Sequence, residues 1–168
     1  ILILSSFLIE YIGVITGFPF GNYNYTEKIA PLIFGKVPVA IAFSWYIIAV
    51  NAYIVARLTF KNGFHDLKIL MVSSVFILFI DFLLEPFAAF YNQFWIWEKG
   101  SIPISNYISW WIMGFLYSYL ANYLFKKEMR DLFNIHSKFY KLLPYYILMI
   151  NIVQFIIIDI IYFTSSIK

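Results

Sequence analysis

Five apolar runs divide the chain: residues 1–15, 37–60, 67–90, 104–125 and 142–163. Shorter stretches richer in Gly, Pro and charge separate them. Each complete run reaches the roughly 20 residues a helix needs to cross the hydrocarbon core of a bilayer. None alternates with period two, so the pattern predicts helices and not the strands of a barrel. The expected fold class is therefore all-α, a polytopic transmembrane helix bundle with about five visible spans. The first run is already under way at Ile1, with no basic segment or small-residue cleavage site to mark a signal peptide. Upstream residues are expected to complete that helix. There is no internal repeat and no low-complexity linker, so residues 1–168 read as one integral membrane domain, a fragment of a longer protein.

Composition agrees with lipid as the main solvent. The chain is 62% hydrophobic with mean hydropathy +0.80, and only 12% of its residues are charged. A soluble domain carries about 25% charge, and half of that cannot cover a globular surface. With no cysteine, disulfides, thiolate nucleophiles and zinc–thiolate sites are excluded. Aromatic residues make up 23% of the chain, more than interfacial belts alone require.

Charge sets the orientation. Eight of the 12 Lys and Arg lie in or beside two links: Arg57, Lys61 and Lys68 in one, and Lys126, Lys127, Arg130, Lys138 and Lys141 in the other. By the positive-inside rule these links face the cytoplasm. Loops 16–36 and 91–103 then face outward, with the C-terminus. His65 and His136 fall in the cytoplasmic links and read as interfacial residues.

Four carboxylic side chains fall within the apolar runs: Glu10, Asp81, Glu85 and Asp159. An ionisable residue in a span costs about 2.5–3.5 kcal/mol on insertion scales and is a functional hypothesis by default. With the orientation above, all four lie in the outer half of the bilayer, and no Lys or Arg within a span neutralises them. Asp81 and Glu85 stand at i, i+4 and share a helix face. Two carboxylates so placed in low dielectric resist being ionised together, and one that keeps its proton is a competent general acid. The structural alternative is interhelical bonding to Asn51, Asn106, Asn151 or Gln154.

The loops expected on the same side are equally unusual. Residues 10–25 read EYIGVITGFPFGNYNY, an apolar run with an internal carboxylate that ends in a turn of Gly17, Pro19 and Gly21. The third run is interrupted by Glu85-Pro86, where proline disturbs a helix. Phe94-Trp95-Ile96-Trp97-Glu98 and Trp110-Trp111 follow, so that with Trp45 all five tryptophans fall in or near the outer half. Metal-dependent diphosphate chemistry would require paired acidic clusters with basic residues beside them, and the basic residues lie at the opposite face. No P-loop, GxGxxG or nucleophile–base pair is present.

These residues resemble a known family. Glu10, Gly13, Thr16-Gly17, Pro19-Phe20-Gly21, Tyr23 and Tyr25, then Pro31, Gly35, Val37-Pro38 and Trp45, are similar to the integral-membrane carotenoid biosynthesis family. That family includes bisanhydrobacterioruberin hydratases and carotenoid 1,2-hydratases. Asp81, Glu85-Pro86, Trp95, Trp97, Pro103, Asn106-Tyr107 and Trp110 continue the pattern, which covers about residues 10–111. Lys36, Gly100-Ser101-Ile102 and Ser109 depart from it.

The resemblance implies hydration of the terminal carbon–carbon double bond of an acyclic carotenoid. On that reading Asp81, Glu85 and Glu10 are the catalytic carboxyls. Tyr23, Tyr25, Trp45, Trp97, Asn106, Tyr107 and Trp110 bind substrate and stabilise a tertiary cation. The substrate reaches the site from the lipid, and no organic cofactor, metal or nucleic acid is expected. The implied setting is a bacterial or archaeal cell membrane. Two other functions fit the residues: a transporter or carrier with a proton-relaying acidic cluster, and a non-catalytic carotenoid- or lipid-binding scaffold.

Overall fold

A computed structural model describes residues 1–60, 66–134 and 138–166, and for 126–134, 138, 162, 165 and 166 it describes the backbone alone. His65 and His136 lie outside the described residues. Five helices form the bundle: α1 (Leu2–Thr16), α2 (Val39–Thr59), α3 (Asp66–Glu85), α4 (Ile104–Asn134) and α5 (Lys138–Ser166). The helices spanning Val39–Thr59, Asp66–Tyr91 and Phe139–Ile161 are long and apolar enough to cross a membrane. At 15 residues, α1 reaches only about 22 Å. α4 has ample length, but Ser105, Asn106, Ser109, Ser118 and Asn122 dilute its apolar run.

Small residues let the helices approach. The buried seam of α2 is Ala42, Trp45, Ala49, Ala52 and Ala56, a spacing of three and four that keeps one stripe toward its neighbours. In lipid, where apolar contact alone gives no advantage over the solvent, close backbone approach and interhelical hydrogen bonds hold such bundles together. The α3–α4 contact shows both. Ser73 and Ser118 hydroxyls lie 2.7 Å apart. One turn on, Gly114 abuts Ile77 so closely that a Cβ would lie 3.2 Å from that side chain. Asp81 and Asn106 complete the row, with Asn106 Nδ2 donating to Asp81 Oδ2 at 3.2 Å. The row therefore runs from hydroxyls through an apolar layer to the acidic end of the bundle.

Two features depart from the hydropathy pattern. Residues 126–134 are helical and continue α4, while α5 begins at Lys138. Their polarity suggested a longer loop, but polarity shows where a helix leaves lipid and not where it unwinds. After Glu85 the chain continues as a π-helical segment, Pro86–Tyr91. Proline supplies no N–H for the α-helical ladder, and wider turns of this kind cluster at functional sites.

The loops at that end contain short strands: β1 (Tyr23–Tyr25), β2 (Leu32–Ile33), β3 (Val37–Pro38) and β4 (Trp95–Trp97). β1 and β4 pair antiparallel, with Tyr23 opposite Trp97, Asn24 opposite Ile96 and Tyr25 opposite Trp95. β2 and β3 form a second small ladder. The β1–β4 ribbon brings together the two loops that the charge bias assigns to one face. It is extended by Glu98 N–H to Asn22 O at 3.0 Å and Thr26 N–H to Phe94 O at 2.9 Å. Asn22 Nδ2 also donates to Glu98 Oε2 at 2.6 Å.

The turn before β1 is fixed to the bundle. Gly17, at φ 73°, ends α1 in the left-handed conformation, and its N–H returns to Gly13 O; glycine takes this conformation without the strain a Cβ would bring. Gly21, at φ 119°, lies so near Pro103 that a Cβ would meet its ring at 2.7 Å. From α4, Ser105 and Ser109 each donate 2.8 Å bonds to the carbonyls of Phe20 and Pro19.

Candidate active site at the head of the bundle

Beneath the ribbon lies a cavity of about 190 Å³ whose walls are predominantly aromatic. Two carboxylic side chains line it, Glu10 from α1 and Glu85 from the end of α3. The period-two geometry of a strand explains why both are held from above. Tyr23 and Tyr25 project to the same face of β1, Trp95 and Trp97 to the same face of β4, while Asn24 and Ile96 point outward and are exposed.

Each strand serves one acid. Tyr23 Oη and Tyr25 Oη donate to Glu10 Oε2 at 2.6 and 2.8 Å. Trp45 Nε1 of α2 donates to Glu10 Oε1 at 2.8 Å. Trp95 Nε1 and Trp97 Nε1 donate to Glu85 Oε2 at 3.2 and 3.0 Å, and Asn106 Nδ2 to Glu85 Oε1 at 2.9 Å. Three donors apiece meet two acids of at most 4% exposure, which answers the cost of burying them. Burial first, and the Glu10 carboxyl beside them second, push the phenols of Tyr23 and Tyr25 well above the ordinary tyrosine range. They stay protonated and remain available as donors.

The remaining wall is a stack. The rings of Trp45 and Trp110 lie 4.0 Å apart between centroids at 18°, and Tyr117 leans on Trp45 at 5.4 Å. Ile41, Ser44 and Ile48 of α2, with Phe87 and Phe155, line the side toward α5. These five side chains are half-buried, and four of them are apolar, so the cavity meets the outside of the bundle laterally and mainly through apolar groups.

The structure brings together most of the residues singled out from the sequence. Glu10, Tyr23, Tyr25, Trp45, Glu85, Trp97, Asn106 and Trp110 all line the cavity. Asp81 lies one turn behind Glu85, fully buried, and shares the Asn106 amide with it. Tyr107 is placed elsewhere: it is half-buried on α4 and its ring packs on Phe82 at 5.9 Å. Asp159 is also apart from the cavity, its Oδ1 buried without a hydrogen-bond partner among the described residues. Of the amides weighed as interhelical partners, Asn106 alone reaches these acids; Asn51 Nδ2 donates to Pro144 O and Asn151 Nδ2 to Ile147 O. Trp95 is a cavity residue that the sequence reading did not select, although the alternation Trp-Ile-Trp puts it on the same strand face as Trp97.

The molecule is thus a polytopic membrane helix bundle with an acid-bearing aromatic cavity at one end. A family model described as carotenoid biosynthesis protein matches residues 1–166, and the chain belongs to that family. A bisanhydrobacterioruberin hydratase of Haloarcula japonica is 28% identical over 139 residues, covering 77% of this chain and 47% of that protein. The chain spans about half the length of this curated relative. No solved structure gives a significant match.

Proposed function

We propose that this membrane protein hydrates the terminal carbon–carbon double bond of an acyclic carotenoid end group. The observation that carries the proposal is that two buried carboxyls, Glu10 and Glu85, line one cavity walled by indole and phenol rings. Family membership and the name of the haloarchaeal relative support the same chemistry.

Hydrating a trisubstituted alkene requires three things. An acid protonates the less substituted carbon, the resulting tertiary cation is stabilised, and a water is held for attack. Glu85 is placed to act as the acid and Glu10 to orient the water and take its proton, a division of labour that general acid–base catalysis uses widely. Trp45, Trp110 and Trp97 offer ring faces to the cation, each worth up to about 2 kcal/mol when water is excluded. The apolar side between α2 and α5 gives a long polyene a path into lipid while its end occupies the cavity. We place the cavity in the outer half of a bacterial or archaeal cell membrane, because Arg57 in the last turn of α2 and Lys68 in the first turn of α3 lie at the other end of the bundle.

The test is coexpression of the full-length protein with a lycopene-producing pathway, with pigments resolved by chromatography and mass spectrometry. The expected product carries the mass of one added water per reacted end, and both Glu85→Gln and Glu10→Gln suppress it. Unchanged pigment that copurifies with the protein would instead identify a binding scaffold.

A further inference from the structure

The three buried carboxyls at the head of the bundle are unequally served. Glu10 and Glu85 each accept three hydrogen bonds. Asp81 has no exposed surface, accepts one bond at 3.2 Å on Oδ2, and its Oδ1 has no partner among the described residues. An ionised carboxylate removed from water requires donors on both oxygens. The neutral acid requires one acceptor for its own O–H.

Glu85 is the acceptor at hand. It stands one helical turn from Asp81 on the same face, and a single amide nitrogen, Asn106 Nδ2, reaches both acids. Their oxygens can be no further apart than two hydrogen bonds laid end to end, within reach directly or through one water. The groups bonded to Glu85 are indole and amide N–H donors, which can neither supply nor receive a proton at ordinary pH. Among the described residues, the titratable groups within electrostatic reach of the pair are Glu10 on α1, Tyr23 on β1 and Tyr107 on α4, whose ring packs on Phe82. Glu85 lines the cavity and Asp81 does not.

We propose that Asp81 is the proton store of this site, holding the proton behind the cavity and passing it to Glu85, which delivers it to the double bond. The inference rests on the hydratase reading. Asp81 touches no substrate and acts through Glu85. In a turnover the Asp81 proton moves to Glu85, and the Glu85 O–H bond breaks as a C–H bond forms at the less substituted alkene carbon. Water oxygen bonds to the cation, and the surplus proton of that water passes to Glu10. Return of this proton through cavity water to Glu85, and from Glu85 to Asp81, restores the starting state. The net change is alkene plus water to tertiary alcohol.

The test uses the full-length protein in lipid nanodiscs. Infrared difference spectra of wild type against Asp81→Asn should show a protonated-carboxyl carbonyl band that shifts in D2O. The band should be absent from the difference between wild type and Glu10→Gln, and any contribution from Asp159 cancels. In turnover, Asp81→Asn should lower kcat by about 100-fold or more, the range of a lost general-acid contribution, with KM within about twofold. Asp81→Glu, which keeps the acid, should restore the band and most of the rate. A role confined to packing would change thermal stability and KM and leave kcat within about twofold, whether or not the carbonyl band is seen, and would overturn the proton store. A wild type that hydrates pigment but shows no such difference against Asp81→Asn overturns the proton store alone. A wild type that does not hydrate pigment overturns the hydratase reading, and the role of Asp81 with it.

Discussion

Replacing Tyr23 by Phe isolates one hydrogen bond at the centre of the site. The phenol donates to Glu10 Oε2 at 2.6 Å, and both side chains are at most 5% exposed. Phenylalanine keeps the ring against Trp97, 5.1 Å away between centroids, so the change is close to deletion of one oxygen. A hydrogen bond to an ionised group contributes about 1.5–3 kcal/mol. Tyr25 and Trp45 still serve Glu10 after the change, so the acid is not stranded and the expected loss is about 2 kcal/mol. For a chain of this length 1 kcal/mol corresponds to about 2–4 °C in Tm, which puts the shift at about 4–8 °C. Thermal unfolding of the protein in nanodiscs measures it, with the exposed Tyr119→Phe as the control expected to stay near zero. In a Glu10→Gln background the same Tyr23→Phe change should cost less by about 1 kcal/mol or more, the signature of direct coupling. An equal cost in both backgrounds would refute the assignment of this bond to the carboxylate.

The pH dependence of that difference has a definite sign. Because burial and Glu10 raise the Tyr23 phenol above its ordinary value, the advantage of wild type over Tyr23→Phe is complete below about pH 10, the unfolded tyrosine value, and declines above it, where the phenol of the unfolded chain ionises and the folded one keeps its proton; stability measured from pH 6 to 11 checks this. Gly13→Ala should destabilise by about 1–3 kcal/mol, despite the better helix former, because the new Cβ would lie 2.8 Å from Phe20 and 3.1 Å from Tyr23 Oη; pigment hydration should fall with it. Tyr107→Phe should leave hydration and stability unchanged within about 0.5 kcal/mol, since its ring packs on Phe82 outside the cavity; pigment analysis and the same unfolding assay would show otherwise.

The helices were legible because hydrophobicity in lipid is nearly a direct report of backbone state. The i, i+4 spacing of Asp81 and Glu85 was equally open to reading, since it depends only on helical period. The ribbon was not. Tyr-Asn-Tyr and Trp-Ile-Trp do alternate, but three residues give too short a period to detect, and the partners lie about seventy residues apart in sequence. That pairing decides which tryptophans enter the site, and so Trp95 was passed over. Tyr107 adjoins Asn106 in the family pattern, yet adjacent helical residues point about 100° apart, and of the two Asn106 lines the cavity. The extension of α4 beyond 125 was hidden for a different reason. Its last turns are polar, and hydropathy marks the end of lipid contact and not the end of the hydrogen-bond ladder.

The ribbon also has a mechanical consequence. Glu10 is tied to β1 through Tyr23 and Tyr25, and Glu85 to β4 through Trp95 and Trp97. Tyr23 and Trp97 are cross-strand partners. The gap between the two acids is thus gauged by a main-chain ladder that crosses from one to the other above the bundle. Bilayers of different thickness tilt helices, and tilting alone would open or close that gap. With the ladder as a crosspiece, parting the heads of α1 and α3 would break its main-chain hydrogen bonds, which opposes a change in the span between the acids as the lipid around them changes.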